Sequence, residues 1–318
     1  MATDASITIA RGPSHARFLT YGATLAEFRH EDMEHSLALG SADPVAYRGP
    51  MRYFGAVVGP IANRIAGGRA PLGGRVLQLE LNENGNALHG GRNGVSQRVW
   101  TVEKQERHRV VFAVTLEDGE GGLPGPLSLQ TAYEIEDDGA LRIDITGESA
   151  VPTCCNPAFH GYWCLGPNGL DGHQLTIDAD HYLPTDEALI PTGEIAPVAG
   201  TGYDLRQPTP LPAAVGLDTN FCLNGEGFRE VARLETDALA MSVETDAPGL
   251  QVYDAARLNT APALGHNDAT YGPHAGLALE PQLWPDAPNQ PGFPCIILNP
   301  GKRFQQRSRF RFIRKETP

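Results

Sequence analysis

Two titratable side chains stand in unusual company. His160 lies in CCNPAFHGYWCL (154–165), shortly after a proline and beside Tyr162 and Trp163. An imidazole can donate or accept a proton near neutral pH, and a neighbouring aromatic ring can stack on the apolar CH face of a sugar. The plainer reading is a satisfied core histidine in aromatic packing. Glu280 lies in GLALEPQLWPDAPNQPGFPCIILNPG (276–301), after the apolar run GLAL, which places it at the end of a strand. A carboxylate in a partly buried site there needs hydrogen-bonded partners. The alternative is a strand-end glutamate facing water. Gln282 shares the parity of Glu280 if the strand runs on past Pro281.

Three further segments offer groups for neutral hydroxyls. NENGNALHGG (82–91) reads as a turn from its asparagines and paired glycines, with His89 either exposed or lining a cleft. ANR (62–64) presents Asn63 and Arg64, and a guanidinium is a fixed fork of donors. The bland alternative is a surface arginine. GLDTNF (216–221) carries Asp218, which can accept from two hydroxyls or serve as an ordinary turn aspartate.

Groups so scattered along the chain need a rigid scaffold to meet. Period-2 alternation predicts strands over 5–9, 76–81, 99–103, 109–116, 127–135, 140–147, 174–178, 239–245, 250–253 and 308–313. Turn signals at 117–126, 136–139 and 166–172 separate them. Gly and Pro supply 62 of 318 residues, as expected of many short strands joined by turns. No run shows capped helical spacing, so the chain reads as mainly antiparallel β, a large sandwich. A propeller is the weaker rival, because no repeat of blade length occurs. The stretch 183–235 reads as loops over one sheet face, where a site is expected. No linker interrupts the composition, so 1–318 reads as one domain.

Composition excludes other classes. A formal charge of −13 argues against nucleic acid or an anionic membrane as partner. The basic C-terminal run, with Arg309 and Arg311 alternating with Phe310 and Phe312, reads as a strand with one apolar and one solvated basic face. Five cysteines without a CxxC pair argue against a disulfide scaffold or a thiolate zinc site. The N-terminal residues show no basic segment leading into an apolar stretch, and no run is long enough to span a membrane, so the cytoplasm is the expected compartment.

Taken together and in order, these segments resemble the aldose 1-epimerases, or galactose mutarotases. The resemblance runs over nearly the whole chain: NRI (63–65), NGNALHGG (84–91), HGYWCL (160–165), LIPTGEI (189–195), DTNF (218–221), PGLQVY (248–253) and LEPQLWPDAPNQPGFP (279–294). It implies a β-sandwich of the supersandwich type with an open cleft, acting on a free monosaccharide as monomer or homodimer, without cofactor or metal. It implies His160 as general acid and Glu280 as general base, with Arg64, His89 and Asp218 holding sugar hydroxyls. Asn63, Tyr162 and Gln282 are expected beside them as substrate-binding residues. Three positions depart from the family pattern: Phe159 and Cys164 stand where asparagine is usual, and Asp254, Ala255 and Ala256 replace Thr-Gly-Asn.

The implied chemistry is economical. Interconverting anomers requires a proton taken from the C1 hydroxyl and one given to the ring oxygen, which one base and one acid can do. Reference pKa values make Glu280 the ready base, with His160 kept charged by the carboxylate beside it. A glycoside hydrolase would need two carboxylates, and a hexose-phosphate epimerase a compact basic pocket. A carbohydrate-binding or sugar-responsive protein without turnover is the non-enzymatic alternative.

Overall fold

Alternating apolar and polar residues give a strand one buried face, and most of this chain is built that way. The computed structural model describes residues 4–31, 33–211 and 216–315. Named strands pair antiparallel throughout, and helical structure among the described residues is limited to five short 3₁₀ turns. None is long and apolar enough to cross a membrane.

Two sheets carry the architecture. The larger has nine strands, in the order Thr209–Pro210, Gln174–Ile177, Arg229–Glu235, Leu239–Thr245, Arg303–Arg314, Leu141–Ser149, Leu127–Ile135, Arg109–Leu116 and Thr101–Gln105. The smaller has six: Tyr162–Trp163, Leu277–Gln282, Gly249–Tyr253, Asp218–Cys222, His181–Tyr182 and Ala196–Pro197. Leu129, Ile143 and Phe310 from the first share one core with Phe221, Leu250, Val252 and Leu279 from the second. Such a shared layer between two inner faces is what defines a β-sandwich. A third sheet, Ser6–Arg11, Ser14–Leu19 and Thr24–His30, adds Ile9, Phe18, Leu25 and Phe28 to the same core.

The runs 109–116, 127–135 and 239–245 are strands over the bounds read from alternation. Three readings need correction. The run 76–81 holds a strand only over Arg75–Gln78. The stretch 183–235 is not all loop, because Asp218–Cys222 and Arg229–Glu235 are strands within it. The first was hidden because its polar residues face a cleft rather than bulk water, which removes the usual polar-out signature. Finally, the basic face of the C-terminal strand is not simply solvated. Arg309 is flanked by Glu136, Asp138 and Glu244 at 2.5, 2.5 and 3.0 Å, and only 17% of its side chain is exposed.

Candidate active site

Register in the smaller sheet assembles one wall of a cleft. Glu280 pairs with Gln251, and Gln251 with Asn220, while Asp218 pairs with Tyr253. Successive side chains on a strand alternate between faces, so Asp218, Gln251, Tyr253 and Glu280 all line one cavity of about 440 Å³. Tyr162 of the same sheet also lines it, together with Tyr53, Asn63, Arg64, Glu83, His89 and His160 from outside that sheet.

His160 ends the strand Ala158–His160, paired with Ala56–Val58. His160 and Tyr162 point into the cleft, whereas Phe159 and Trp163 point into the core. Gly161 makes this possible: a Cβ there would lie 2.4 Å from the Phe159 ring. The His160 ring stacks near Tyr53 and Tyr162, with centroids at 5.9 and 5.1 Å, and meets His89 edge-on at 5.3 Å. Its Nε2 stands 3.5 Å from Glu280 Oε1, and both residues are almost wholly buried.

Asn63 and His89 are clamped to each other. The Asn63 amide donates to His89 Nδ1 at 3.1 Å, and the His89 amide donates to the Asn63 carbonyl at 2.9 Å. Both backbones sit in the left-handed region, at φ of 58° and 51°, a cost that is tolerated mainly where function requires a fixed geometry. The following turn needs glycine, since a Cβ on Gly90 would lie 2.2 Å from the Gly59 carbonyl oxygen. Because an amide N–H must donate, His89 Nδ1 is the acceptor and the neutral ring carries its proton on Nε2.

Arg64 is held as firmly. Its Nε donates to Glu83 Oε2 at 2.6 Å and its Nη2 to Glu83 Oε1 at 3.1 Å. Asn63 Oδ1 accepts from the Arg64 backbone at 2.8 Å and from Nη1 at 3.5 Å. Across the cleft, Gln251 Nε2 donates to Asp218 Oδ1 at 2.8 Å.

Burial sets the proton states. It pushes Glu280 well above the carboxylate range, with Asp218 acting in the same sense and Arg64 against it. It pushes His160 down to about 4. His89 falls well below the ordinary imidazole value through burial, helped by His160 and Arg64. Asp218 is raised by burial, opposed by Arg64 and the Gln251 hydrogen bond. The expectation of an ordinary carboxylate keeping an imidazolium charged is not met: burial raises Glu280 and lowers His160.

The site residues read from sequence meet here, with one exception. His160, Glu280, Asn63, Arg64, His89, Tyr162 and Asp218 line the cavity. Gln282 does not. The strand does continue through Pro281, but Gln282 lies two pairs beyond Glu280, opposite Gly249, buried and outside the cavity lining. Sequence reading missed Glu83, Gln251, Tyr53 and Tyr253. Gln251 and Tyr253 were legible as the alternating positions of PGLQVY; Glu83 gave no signal of its own. Of the departures, Phe159 belongs to the core and Cys164 donates its thiol to Gly166 and Gly169 carbonyls, whereas Asp254 and Ala256 line the cavity.

His89, His160 and Glu280 also form a potential metal-ligand set, with one donor atom each within 4.8 Å of one another. No such set was expected from the sequence. The tautomer of His89 disfavours it, because a ring whose Nδ1 accepts a hydrogen bond presents an N–H, not a lone pair, at Nε2. A donor of that kind suits a sugar oxygen.

Comparison with known proteins identifies the family. The family model described as aldose 1-epimerase matches residues 5–311. Human galactose mutarotase is 37% identical over 310 residues, covering 92% of this chain and 90% of that protein. Aldose 1-epimerase of Escherichia coli (strain K12) is 34% identical over 318 residues, covering 93% and 91%. Among solved structures, an aldose epimerase homologue from C. elegans superposes with a TM-score of 0.92 at 27% identity, covering 99% of this chain and 100% of that one. A galactose 1-epimerase from Lactobacillus acidophilus NCFM gives 0.84 at 27% identity, with the same coverage. The antiparallel β fold is that of these solved structures, and the chain belongs to the aldose 1-epimerase family, enzymes that interconvert the anomers of aldoses.

Proposed function

We propose that this cleft interconverts the α and β anomers of a free, unphosphorylated aldose by proton transfer through Glu280 and His160. One observation carries the assignment: a buried carboxylate and imidazole face each other at 3.5 Å in a cavity that Arg64, His89, Asp218 and Gln251 also line. The neutral pair and the ion pair contain the same proton, placed differently. When sugar oxygens replace the hydration lost by the carboxylate, the proton resides on His160 and Glu280 is free to act as base. Glu280 then takes the C1 hydroxyl proton while His160 protonates the ring oxygen. The ring opens, the C1–C2 bond rotates, and closure on the other face returns both protons.

Arg64, the His89 Nε2–H, Asp218 and Gln251 are the groups that hold hydroxyls, and Tyr162 offers a ring to the sugar's apolar face. Asn63 acts mainly by fixing Arg64 and His89. The relatives named for galactose make it the first sugar to try. Residues 1–318 act as one domain, supported by a core that joins strands from both ends of the chain. The protein acts as a monomer or a homodimer. Its five free thiols suit a reducing compartment such as the cytoplasm.

The test is polarimetry on pure α-galactose, with a chromogenic galactoside as control. We expect mutarotation above the spontaneous rate, no glycoside cleavage, and activity unchanged by EDTA. Glu280→Gln should cut kcat by about 10²-fold or more. Turnover within threefold of the unmodified chain would overturn the role of Glu280, and EDTA loss restored by one divalent ion would overturn the metal-free reading.

A further inference from the structure

We propose that Glu83 is a positioning and selectivity residue, holding Arg64 as a charge-compensated hydroxyl donor so that the cleft takes neutral aldoses and rejects anionic ones such as hexuronates. The inference rests on the mutarotase reading of the same cleft. A guanidinium in a sugar site is by default an anion receptor, because its planar fork matches a carboxylate or phosphate. Here that fork is already filled by two bonds from Glu83, at 2.6 and 3.1 Å.

The pair is shielded, with 11% of the Arg64 side chain and 29% of the Glu83 side chain exposed. Screening by water is therefore limited. Hydrogens on Nη1 and Nη2 still remain to donate to a neutral hydroxyl. Glu83 is also anchored: its amide donates to the Asn86 carbonyl at 3.2 Å and its carbonyl accepts from the Asn86 amide at 2.7 Å, in the turn that leads to His89.

The compensation extends beyond the pair. Asp218 is acted on by Arg64 and by Glu83 in opposite senses, so the charge of Glu83 reaches the sugar-binding wall. With Arg64 already paired, an incoming carboxylate meets no uncompensated buried cation among the described residues that line the cavity. Arg257 also lines the cavity, but it is exposed to solvent. Removing only the charge of Glu83 should turn Arg64 back into an anion receptor. Glu83 touches Arg64 and not the reacting atoms, so it acts by position and field.

The experiment compares the full chain with Glu83→Gln and Glu83→Asp, using galactose and galacturonate, which differ only at C6. Anomer exchange by NMR gives kcat and KM, and calorimetry gives binding without turnover. For Glu83→Gln we expect kcat on galactose within about threefold, KM raised about three- to tenfold, and the galacturonate-to-galactose ratio of kcat/KM raised about tenfold or more. Glu83→Asp keeps the charge and should keep the preference even if KM rises. Adding Arg64→Gln to Glu83→Gln should remove the gained galacturonate binding. A ratio within twofold of the unmodified chain, or a gain that survives Arg64→Gln, would overturn the proposal. Should Glu83→Gln not fold, Glu83→Ala removes the same charge and should raise the galacturonate-to-galactose ratio in the same way; a ratio unchanged there would overturn the proposal. Failure of the mutarotase reading is distinct, since it appears as no galactose exchange by the unmodified chain while the binding ratios still report on Glu83.

Discussion

His160 and Glu280 face each other at 3.5 Å with 5% and 2% of their surfaces exposed, so the cost of charging a buried group governs their proton states. Below the depressed value of His160, about 4, both groups are protonated and no base is present. Above the raised value of Glu280 both are deprotonated and no acid is present. Between these limits the pair holds one proton, and kcat/KM should form a plateau whose acid limb reports the pair's first deprotonation and whose alkaline limb reports its second. ¹⁵N NMR of the sugar-free protein at pH 6 should show His160 neutral; an imidazolium signature there would contradict this account. Stability follows the same logic. A group whose folded pKa is raised stabilises fully below its unfolded value and loses that contribution as pH rises through the folded one. Glu280→Gln should therefore gain Tm over the unmodified chain, and the gain should be larger at pH 8 than at pH 5. Equal or falling differences would sink the burial argument. Residue types alone named this pair, but reference pKa values do not carry the burial that raises Glu280 and lowers His160, because burial is a property of the fold.

Among the strands, the short segment running from Ala158 to Trp163 shows how alternation divides labour. His160 and Tyr162 face the cleft, while Phe159 packs at 2% exposure against Tyr133, Trp163 and Phe310. Phe159 stands where the family usually has asparagine, and its place in the core makes it a packing difference, not a contact with the sugar. Phe159→Asn should cost about 3–5 kcal/mol, the range for truncating a buried aromatic, measured by urea unfolding. KM of the folded fraction should stay within about twofold. A change in sugar preference with stability intact would show that this position reads the substrate after all. The departure at 254–256 is the opposite case, since Asp254 and Ala256 do line the cavity. Strand parity could have separated these cases in the sequence only if the strand bounds were known. Those bounds were obscure because the segment is short and buried on both faces, without a polar-out alternation.

Across the whole molecule, a chain of formal charge −13 needs local compensation where strands bring acids together. Arg309 supplies it at the junction of the three central strands of the large sheet, bonding Glu136, Asp138 and Glu244. Those acids come from the turn after Leu127–Ile135 and from the strand Leu239–Thr245, so the contact ties both flanks to the C-terminal strand. Replacing Arg309 with Met leaves three carboxylates close together. We expect a loss of about 1–3 kcal/mol, part of it recovered by added salt, which screens their repulsion. A Tm unchanged at low ionic strength would show that the cluster contributes nothing.

The sequence by itself determined the β class, the order of the motifs and seven of the eight residues expected at the site. Alternation, turn chemistry and motif order are local properties carried by residue type. Tertiary structure decided the rest. It set Gln282 outside the cavity, because pairing register and not parity alone decides which part of a strand face borders the cleft. It joined Arg64 to Glu83 and Asp218 to Gln251, contacts whose geometry depends on how distant segments fold together. It made His89 an Nε2–H donor through the backbone amide of Asn63, 26 residues away in sequence. It also buried Glu280 and His160, and burial, which no residue carries in its own type, raises the one and lowers the other.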